Sequence, residues 1–458
     1  MNRRNFLKSA AVGGAAPLAA PAGAQTAAPS DRIRVGIIGC GAMGRMDMAD
    51  FQKQPEVEIA ACCDVDRNAL ERALSEAGAK AAGYGDYRKL LERKDIDAVV
   101  IATPDNWHPL ITVDACKSGK DVYVEKPVGV VVREGRLMVE AARRNRRVVQ
   151  VGLQQRSGSH FQRARKLIQD GGIGKVLYAQ CWYHQHGKQS GLGRPQESEP
   201  PSGLDWDTWL GPAARVPFKT AYAPGSWRAF FSYGGGLMTD WGVHLVDIVQ
   251  WSLGADAPRS VIALGGKAWF DDIRDTPDML NALYEYPAFQ LHVSILPHNS
   301  HGQDGNPGNK PFNSYGIQFH GSQGTLFVDR AGYLLSPQAQ EMYEAGGISF
   351  RAAFDDLTGT SMYYTNAVPG ERGTTSVQHL PHVKNFVACV KSRQKPMADI
   401  EDGHRATTTC HLANIAYKTG GQKLLWDRDK EKFTNSLEAN ALLTRAYRAP
   451  WRLPGMDA

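Results

Sequence analysis

Apolar residues in the first third of the chain form short continuous runs separated by longer segments of mixed character. Ile33 to Ile38 is the first run, and Val57 to Cys63, Ala98 to Ala102 and Asp121 to Val124 repeat the pattern. Short runs rich in β-branched residues are typical of strands buried on both faces, and the segments between them read as helices. The alternation predicts a parallel sheet flanked by helices.

A different pattern begins after Leu153. A predicted helix, His160 to Gln169, and a strand, Lys175 to His184, precede a long Gly- and Pro-rich loop. A helix from Leu237 to Leu253 follows, and then come stretches with strand-like alternation, which predict a largely antiparallel sheet. We therefore expect a first domain over residues 31–153 and a second α/β domain over residues 154–458.

A glycine-rich turn follows the first apolar run. Gly39, Gly41 and Gly44 form a G-x-G-x-x-G pattern between that strand and a predicted helix, Arg45 to Lys53. The first glycine permits a tight turn, the second lets the backbone approach a pyrophosphate, and the third lets the helix pack against the strand. The amino terminus of the helix then faces the phosphates. Residues 31–153 are therefore predicted to form a Rossmann doubly wound domain that binds a nicotinamide dinucleotide.

The acid that ends the second strand, Asp64, indicates which dinucleotide is bound. A carboxylate there accepts hydrogen bonds from both ribose hydroxyls and repels a 2′-phosphate, so NAD is expected. Arg67 keeps NADP possible. Loops at the carboxyl ends of the strands also face the ligand. The candidate cofactor-binding residues are Gly39, Gly41, Ala42, Met43, Gly44, Asp64, Arg67, Thr103, Pro104, Asn106, His108, Glu125 and Lys126.

The first residues have the features of an export signal. Asn2-Arg3-Arg4-Asn5-Phe6-Leu7-Lys8 precedes a mild apolar stretch and a small-residue site, Ala22-Gly23-Ala24. Twin arginines of this kind resemble a Tat signal, and the apolar stretch is too short to span a bilayer. We expect residues 1–30 to be a signal peptide with a short linker, and the mature protein to be periplasmic or otherwise exported without a membrane span. A disordered tail with a chance Arg-Arg pair is the alternative.

Charge and cysteine content exclude several classes of partner. The formal net charge is +6, of which Arg3, Arg4 and Lys8 belong to the leader, and there is no dense basic run with interleaved aromatics. Nucleic acid is therefore not expected as a partner. Seven irregularly spaced cysteines predict no disulfide framework, and no metal-binding motif is present, so we expect no metal.

Four motifs taken in order carry a resemblance to a known family. They are Gly39-x-Gly41-x-x-Gly44, Thr103-Pro104-x-x-x-His108, Glu125-Lys126-Pro127 and Gly235-Gly236-Leu237-Met238-Thr239-Asp240-Trp241-Gly242-Val243-His244. Over roughly residues 32–450 the chain resembles the Gfo/Idh/MocA oxidoreductase family. The resemblance implies a Rossmann domain, a second domain with an open sheet that often forms a dimer face, a carbohydrate substrate, and a homo-oligomer, either dimer or tetramer.

The resemblance places the family's catalytic residues on Lys126, Asp240 and His244. Asp240 and His244 are four residues apart on one predicted helix and so share a face. His244 can remove a hydroxyl proton as hydride leaves the same carbon, and Lys126 can hold the substrate oxygen. Weaker candidates for substrate binding are Gln154, Arg156, His184, Trp227 and Arg228.

Export constrains the reaction cycle, because free NAD is scarce outside the cytoplasm. The cofactor is therefore expected to stay tightly bound and to be regenerated in each cycle. We expect an oxidoreductase that oxidises one sugar and reduces a second carbonyl compound. An NAD-dependent glycosidase, which works by transient oxidation, elimination, water addition and re-reduction, is the alternative. The Asp240-x-x-x-His244 pattern favours oxidoreduction, since those glycosidases carry their own local motif. A noncatalytic sugar-binding protein with a structural dinucleotide is the third possibility.

Overall fold

A six-stranded parallel sheet forms the first part of the protein. The structure, a computed structural model, describes residues 32–223, 225–300, 314–337, 339–340, 365–366 and 370–456, so the predicted signal peptide lies outside the described residues. The strands are β1 (Ile33–Ile38), β2 (Val57–Cys63), β3 (Ala82–Tyr84), β4 (Ala98–Ile101), β5 (Asp121–Val124) and β6 (Val149–Val151). Their order is β3-β2-β1-β4-β5-β6, and every pairing is parallel.

Five helices connect these strands and cover the sheet. They are α1 (Ala42–Gln52), α2 (Arg67–Ala77), α3 (Tyr87–Leu91), α4 (His108–Lys117) and α5 (Val132–Arg144). Strands β2 and β3 are added on one side of β1, whereas β4, β5 and β6 are added on the other, so the strand order reverses between β1 and β4. These two strands lie side by side, with Ile38 opposite Ile101. This reversal opens a crevice at the carboxyl ends of the two strands, where doubly wound sheets bind their ligands. The Rossmann prediction is confirmed.

A ten-stranded sheet forms the second part of the described chain. Its strands are β7 (Val176–His184), β8 (Ser260–Gly266), β9 (Met279–Glu285), β10 (Gln290–Leu296), β11 (Tyr315–Gly321), β12 (Gly324–Asp329), β13 (Gly332–Pro337), β16 (Glu371–Thr374), β17 (Leu424–Asp427) and β18 (Lys432–Phe433), while β14 (Ala339–Gln340) pairs separately with β15 (Thr365–Asn366). The order is β16-β13-β12-β11-β7-β10-β9-β8-β17-β18. β7 and β10 run parallel, and the other pairings are antiparallel, so the predicted mostly antiparallel sheet is confirmed.

Helices from the later part of the chain join the two sheets. They are α6 (Ser159–Gln169), α7 (Trp206–Leu210), α8 (Gly236–Asp240), α9 (Gly242–Leu253), α10 (His379–Ser392), α11 (Ile400–Lys418) and α12 (Leu437–Ala441). α9 and α11 pack on the inner face of the large sheet, and α11 also contacts α5 of the first part. α10 packs against α1, where the Phe386 and Phe51 ring centroids are 5.9 Å apart. One continuous buried cluster therefore links both sheets.

The structure divides the predicted helix from Leu237 to Leu253 into two helices. α8 ends at Asp240, Trp241 lies between the helices, and α9 begins at Gly242. The interruption coincides with a tertiary contact, because the Asp240 carbonyl oxygen accepts a hydrogen bond from Nζ of Lys126 at 2.9 Å.

In the described part of the chain, no helix is both long and apolar enough to cross a membrane.

Candidate active site

Three glycines shape the turn between β1 and α1. Gly39 has φ = 91°, and a Cβ atom there would lie 2.6 Å from the Ala102 carbonyl carbon. A Cβ atom at Gly44 would lie 1.8 Å from the Gly39 carbonyl oxygen, so only glycine allows α1 to pack this closely. Gly41 faces open space instead. The turn thus leaves room for a ligand at the amino terminus of α1, where free N–H groups favour a phosphate.

A cleft of about 500 Å³ extends from this turn along the carboxyl edge of the parallel sheet. The predicted site residues that line it are Gly39, Gly41, Ala42, Met43, Asp64, Thr103, Pro104, His108, Glu125, Lys126, Trp227 and Arg228. Asp64 lies at the end of β2 and Lys126 follows β5, on opposite sides of the crevice between β1 and β4. The cleft therefore runs across the sheet between these two residues.

Asp64 is held in position by the glycine turn itself. Its Oδ2 accepts a hydrogen bond from the Cys40 backbone N–H at 2.6 Å, and its Oδ1 accepts one from the Asp66 N–H at 2.8 Å. Burial raises the pKa of Asp64, and these backbone bonds act in the opposite direction. The carboxylate is thus fixed beside the pyrophosphate turn, as a ribose-binding acid requires.

Three predicted cofactor residues lie outside the lining of the cleft. Gly44 is buried against the turn, as its packing role requires. Arg67 is exposed, and its backbone N–H donates to the Gly203 carbonyl at 2.9 Å. Asn106 is buried, and its Nδ2 donates to the Leu210 carbonyl at 3.1 Å. Arg67 and Asn106 therefore anchor segments of the second part against the first.

His108 joins the two loops that face the cleft. One ring nitrogen lies 2.7 Å from the Pro127 carbonyl oxygen, and the other lies 2.9 Å from the Thr103 carbonyl oxygen. Burial lowers the pKa of His108 to about 4, so the ring is neutral and donates to one of these carbonyls at a time. The His108 side chain therefore holds the two loops in position, and neighbouring residues are the candidates for the chemistry.

The cleft has the properties that a dinucleotide needs. Gly41 leaves open space beside the amino terminus of α1, and Asp64 supplies a fixed carboxylate. Oγ1 of Thr103, which lines the cleft, is buried without a hydrogen-bond partner among the described residues. These groups fit NAD. No group of three or more His, Cys, Asp or Glu residues in the described ranges is arranged to hold a metal ion.

Lys126, Arg228 and Asp240 form a charged cluster at the far end of the cleft. Nζ of Lys126 donates to Oδ1 of Asp240 at 2.7 Å, and Nε of Arg228 donates to the same oxygen at 3.1 Å. Burial would raise the pKa of Asp240, but the two cations hold it below its ordinary value. Asp240 therefore stays ionised and fixes the ammonium group of Lys126.

His244 lies in the first turn of α9, four residues after Asp240. It is buried, and its Nδ1 has no hydrogen-bond partner among the described residues. Burial, together with the nearby charges of Lys126 and Arg330, lowers the pKa of His244 well below its ordinary value. The imidazole is thus neutral and has a free nitrogen that can accept a proton.

The carboxyl group of Glu125, next to Lys126, is fully buried. Burial raises the pKa of Glu125 to about 7, and its Oε1 accepts a hydrogen bond from Nε2 of Gln154 at 2.7 Å. Gln154 also donates to the Tyr123 hydroxyl at 3.2 Å. Gln154, a predicted substrate ligand, therefore supports the loop that carries Lys126.

Two predicted substrate ligands point away from the cleft. Arg156 is buried and makes three hydrogen bonds of 2.6–3.0 Å to the carboxylate of Asp247. His184 shares a face of the large sheet with Ser294, to which its Nε2 lies at 3.1 Å. Side chains alternate along a strand, so Tyr183, which precedes His184, faces the other side of the sheet, where its ring stacks on Trp241. Neither Arg156 nor His184 lines the cleft, and their assignment as substrate ligands stays a prediction.

An aromatic group beside His244 went unnoticed in the sequence. The Tyr183 ring stacks on Trp241 at 4.4 Å, and Trp241 also lies 5.2 Å from Tyr315 and 6.2 Å from His244, measured between ring centroids. The guanidinium carbon of Arg330 lies 4.9 Å from the Trp241 centroid. Trp241 stands between the two catalytic residues of the quoted motif, and this position was the signal that could have identified it.

Segments distant in sequence cover the opposite end of the cleft. Pro201, Leu204 and Trp209 from the long loop line it, as does Trp451 from the carboxyl-terminal segment. Leu204 pairs with Asp66 in an isolated β-bridge, so the loop crosses directly beside Asp64.

Comparison with known families gives matches over most of the chain. Residues 33–153 match the oxidoreductase family NAD-binding Rossmann fold, residues 161–327 the GFO/IDH/MocA C-terminal domain, and residues 371–453 the oxidoreductase family C-terminal alpha/beta domain. Residues 1–20 match the TAT (twin-arginine translocation) pathway signal sequence, which indicates export by that pathway.

A glycosyl hydrolase family 109 protein from Saccharopolyspora erythraea is 37% identical over 157 residues, which is 32% of this chain. The match spans 34% of that relative, about a third of its length.

Two solved structures share the fold at low sequence identity. The WlbA dehydrogenase from Bordetella pertussis, in complex with NADH and UDP-GlcNAcA, has a TM-score of 0.61 at 19% identity over 86% of this chain and 99% of its own. The aldose-aldose oxidoreductase from Caulobacter crescentus, complexed with glycerol, has a TM-score of 0.62 at 16% identity over 86% and 99%. Because the family matches cover most of the sequence, the chain belongs to the Gfo/Idh/MocA oxidoreductase family.

Proposed function

We propose that the protein is an oxidoreductase that transfers hydride between a sugar derivative and a tightly bound NAD. The observation that carries this proposal is that Lys126, which lines the cleft, bonds Asp240 and acts electrostatically on the buried His244. A cation that can hold an alkoxide oxygen therefore lies near a neutral base with a free nitrogen, since the charge of Lys126 lowers the pKa of His244. These are the two groups that oxidation of an alcohol requires.

Each residue of this chain has a defined part in the reaction. NAD, when bound, accepts the hydride that leaves the alcohol carbon. Nζ of Lys126 binds the hydroxyl oxygen and stabilises the negative charge that develops on it. His244 takes the hydroxyl proton, so the carbon–oxygen bond becomes a carbonyl. Asp240 holds Lys126 and Arg228 in place through one oxygen atom.

Two features support a retained cofactor. The Tat pathway exports folded proteins from the cytoplasm, and free NAD is scarce outside it, so a released nucleotide would not be replaced. The loop around Leu204 is also bonded across the Asp64 end of the cleft, where the Asp205 N–H donates to the Val65 carbonyl at 3.0 Å. Hydride taken from one sugar is therefore returned to a second carbonyl compound on the same enzyme.

The choice of NAD over NADP rests on charge at the ribose. The Asp64 carboxylate lines the cleft and would repel a 2′-phosphate, whereas Arg67 lies outside the lining.

A purified sample tests the proposal directly. We expect the protein prepared without added nucleotide to contain stoichiometric NAD or NADH, identified by mass spectrometry. Addition of an oxidisable sugar should raise the near-ultraviolet absorbance of reduced nicotinamide once, and turnover should resume only when a carbonyl acceptor is supplied. Protein that contains no nucleotide and binds it weakly would exclude the retained-cofactor cycle.

The second candidate function is an NAD-dependent glycosidase. The similarity to a glycosyl hydrolase family 109 protein over part of the chain supports it. That reaction has no net redox change, so release of sugar from a glycoside without any acceptor would favour it over the oxidoreductase. A noncatalytic sugar-binding protein is distinguished by the absence of both activities.

We also propose that the protein is a homo-oligomer, a dimer or tetramer, joined through the outer face of the large sheet. Ile262, Leu264 and Leu283 are exposed on this face, and Leu264 has 64% of its surface accessible. Light scattering should give a multiple of the chain mass, and Leu264→Glu should reduce it to the monomer. Leu437→Glu is the matched control, because Leu437 is exposed on α12, outside the sheet. A wild-type monomer would contradict the proposal.

A further inference from the structure

Arg330 is a cation beside the catalytic residues whose charge is not balanced by a described carboxylate. It directly follows β12, and its guanidinium carbon lies 4.9 Å from the Trp241 ring centroid. Its backbone N–H donates to the Tyr315 hydroxyl at 2.8 Å. Nε of the side chain is buried without a hydrogen-bond partner among the described residues. A guanidinium in this position has unused donors.

The other two cations at the site differ from Arg330 in this respect. Lys126 and Arg228 both donate to Oδ1 of Asp240, so the carboxylate compensates them. A partly buried cation without a partner loses hydration that nothing replaces, which is costly to the folded protein. A ligand that carries negative charge would supply the missing partner.

The charges with the largest effects on His244 are also positive. Lys126, Arg330, His379 and His382, which carry or can carry positive charge, act on His244 and add to the effect of burial in lowering its pKa. Nδ1 of His379 is also buried without a partner in the described part of the chain. A general base works best with a pKa near the working pH. An anion close to Arg330 would offset these charges and make His244 a better base.

We propose that Arg330 binds a carboxylate or phosphate group of the substrate, so that the protein acts on an anionic sugar derivative. The charged group lies at the guanidinium, beside Trp241, and the reacting carbon lies between Lys126 and His244. The position of the reacting carbon rests on the proposed function, whereas the anion site rests on Arg330 alone. A planar guanidinium with free donors matches the oxygens of both groups.

Binding of matched pairs of probes tests this site in the full mature protein. The pairs are D-glucuronate with D-glucuronamide, and a hexose phosphate with its parent hexose, titrated by calorimetry at constant ionic strength. Charge-assisted hydrogen bonds contribute about 1.5–3 kcal/mol, so the wild type should bind one charged probe about tenfold or more tighter than its neutral partner. The pair that discriminates identifies the group as carboxylate or phosphate.

Arg330→Gln should remove this preference and leave binding of the neutral probes within about threefold of the wild type, because the lost interaction is with charge. Arg144→Gln is the matched control. Arg144 is an exposed arginine at the end of α5, and its replacement removes one positive charge outside the cleft. A wild type that prefers neither charged probe would overturn the inference, as would a preference that persists in Arg330→Gln.

Reduced-nicotinamide absorbance separates this inference from the proposed function. Charged probes that bind through Arg330 but are never oxidised would refute the oxidoreductase and keep the anion site. Oxidation of neutral sugars without any preference for charge would support the oxidoreductase and refute the anion site.

Discussion

Replacement of Lys126 by alanine is expected to slow sugar oxidation by about 10²- to 10³-fold, the usual effect of removing a donor that stabilises charge in the transition state. Its Nζ is held by Oδ1 and the carbonyl oxygen of Asp240 at 2.7 and 2.9 Å, so the ammonium group has one position. Arg228 bonds the same carboxylate oxygen but through Nε, and its geometry does not substitute for Lys126. Stopped-flow measurement of reduced nicotinamide in a single turnover measures the loss.

The control for this experiment is Lys117→Ala. Lys117 is an exposed lysine at the end of α4, and its loss should leave the rate unchanged. The nucleotide content of Lys126→Ala should match that of the wild type, because the glycine turn and Asp64 are untouched. A Lys126→Ala protein that retains its nucleotide and oxidises sugar within about threefold of the wild-type rate would disprove the catalytic role assigned to Lys126.

Asp247→Asn is expected to destabilise the protein by about 3 kcal/mol, the lower end of the range for breaking a buried ion pair. Asp247 and Arg156 have 1% and 4% of their surfaces exposed and share three hydrogen bonds. Without the carboxylate, Arg156 keeps the Met397 carbonyl at 3.0 Å and Asp402 at 3.3 Å, which limits the loss. The pair ties α9, which carries His244, to the end of the nucleotide-binding part.

Denaturant unfolding of both proteins measures this difference. Asp256→Asn provides the control, because Asp256 forms an ion pair with Arg405 at the surface, with 46% of its side chain exposed. Exposed pairs contribute about 0–1 kcal/mol, so this variant should unfold close to the wild type. An Asp247→Asn protein as stable as Asp256→Asn would show that Arg156 does not depend on its buried partner.

Local sequence features were sufficient to predict the parallel sheet and its ligand turn. The β-branched runs at β1, β2 and β4 are short enough to be strands. Gly39, Gly41 and Gly44 are spaced so that each has a direct role in shaping the backbone of the turn. Both signals lie within one strand–turn–helix unit, so no distant contact is needed to interpret them.

The break at Trp241 could not be predicted in this way. The residues around it have the periodicity of one helix, and the Asp240 carbonyl accepts a bond from Lys126, 114 residues earlier in the chain. The same limit applies to Arg156. An arginine that follows a strand at the domain junction is compatible with a substrate ligand until Asp247 is seen to occupy its guanidinium.

The sequence by itself determined the Rossmann unit, the ligand turn and the residue types of the catalytic group, because these depend on neighbours along the chain. Only the tertiary structure decided which side chains share the cleft. It placed Tyr183 against Trp241 and His184 on the opposite face of the strand, joined Lys126 to Asp240, and left Arg330 without an ion pair to a carboxylate among the described residues. Each of these outcomes depends on packing between segments that are distant along the chain, and local sequence patterns do not report contacts of that kind.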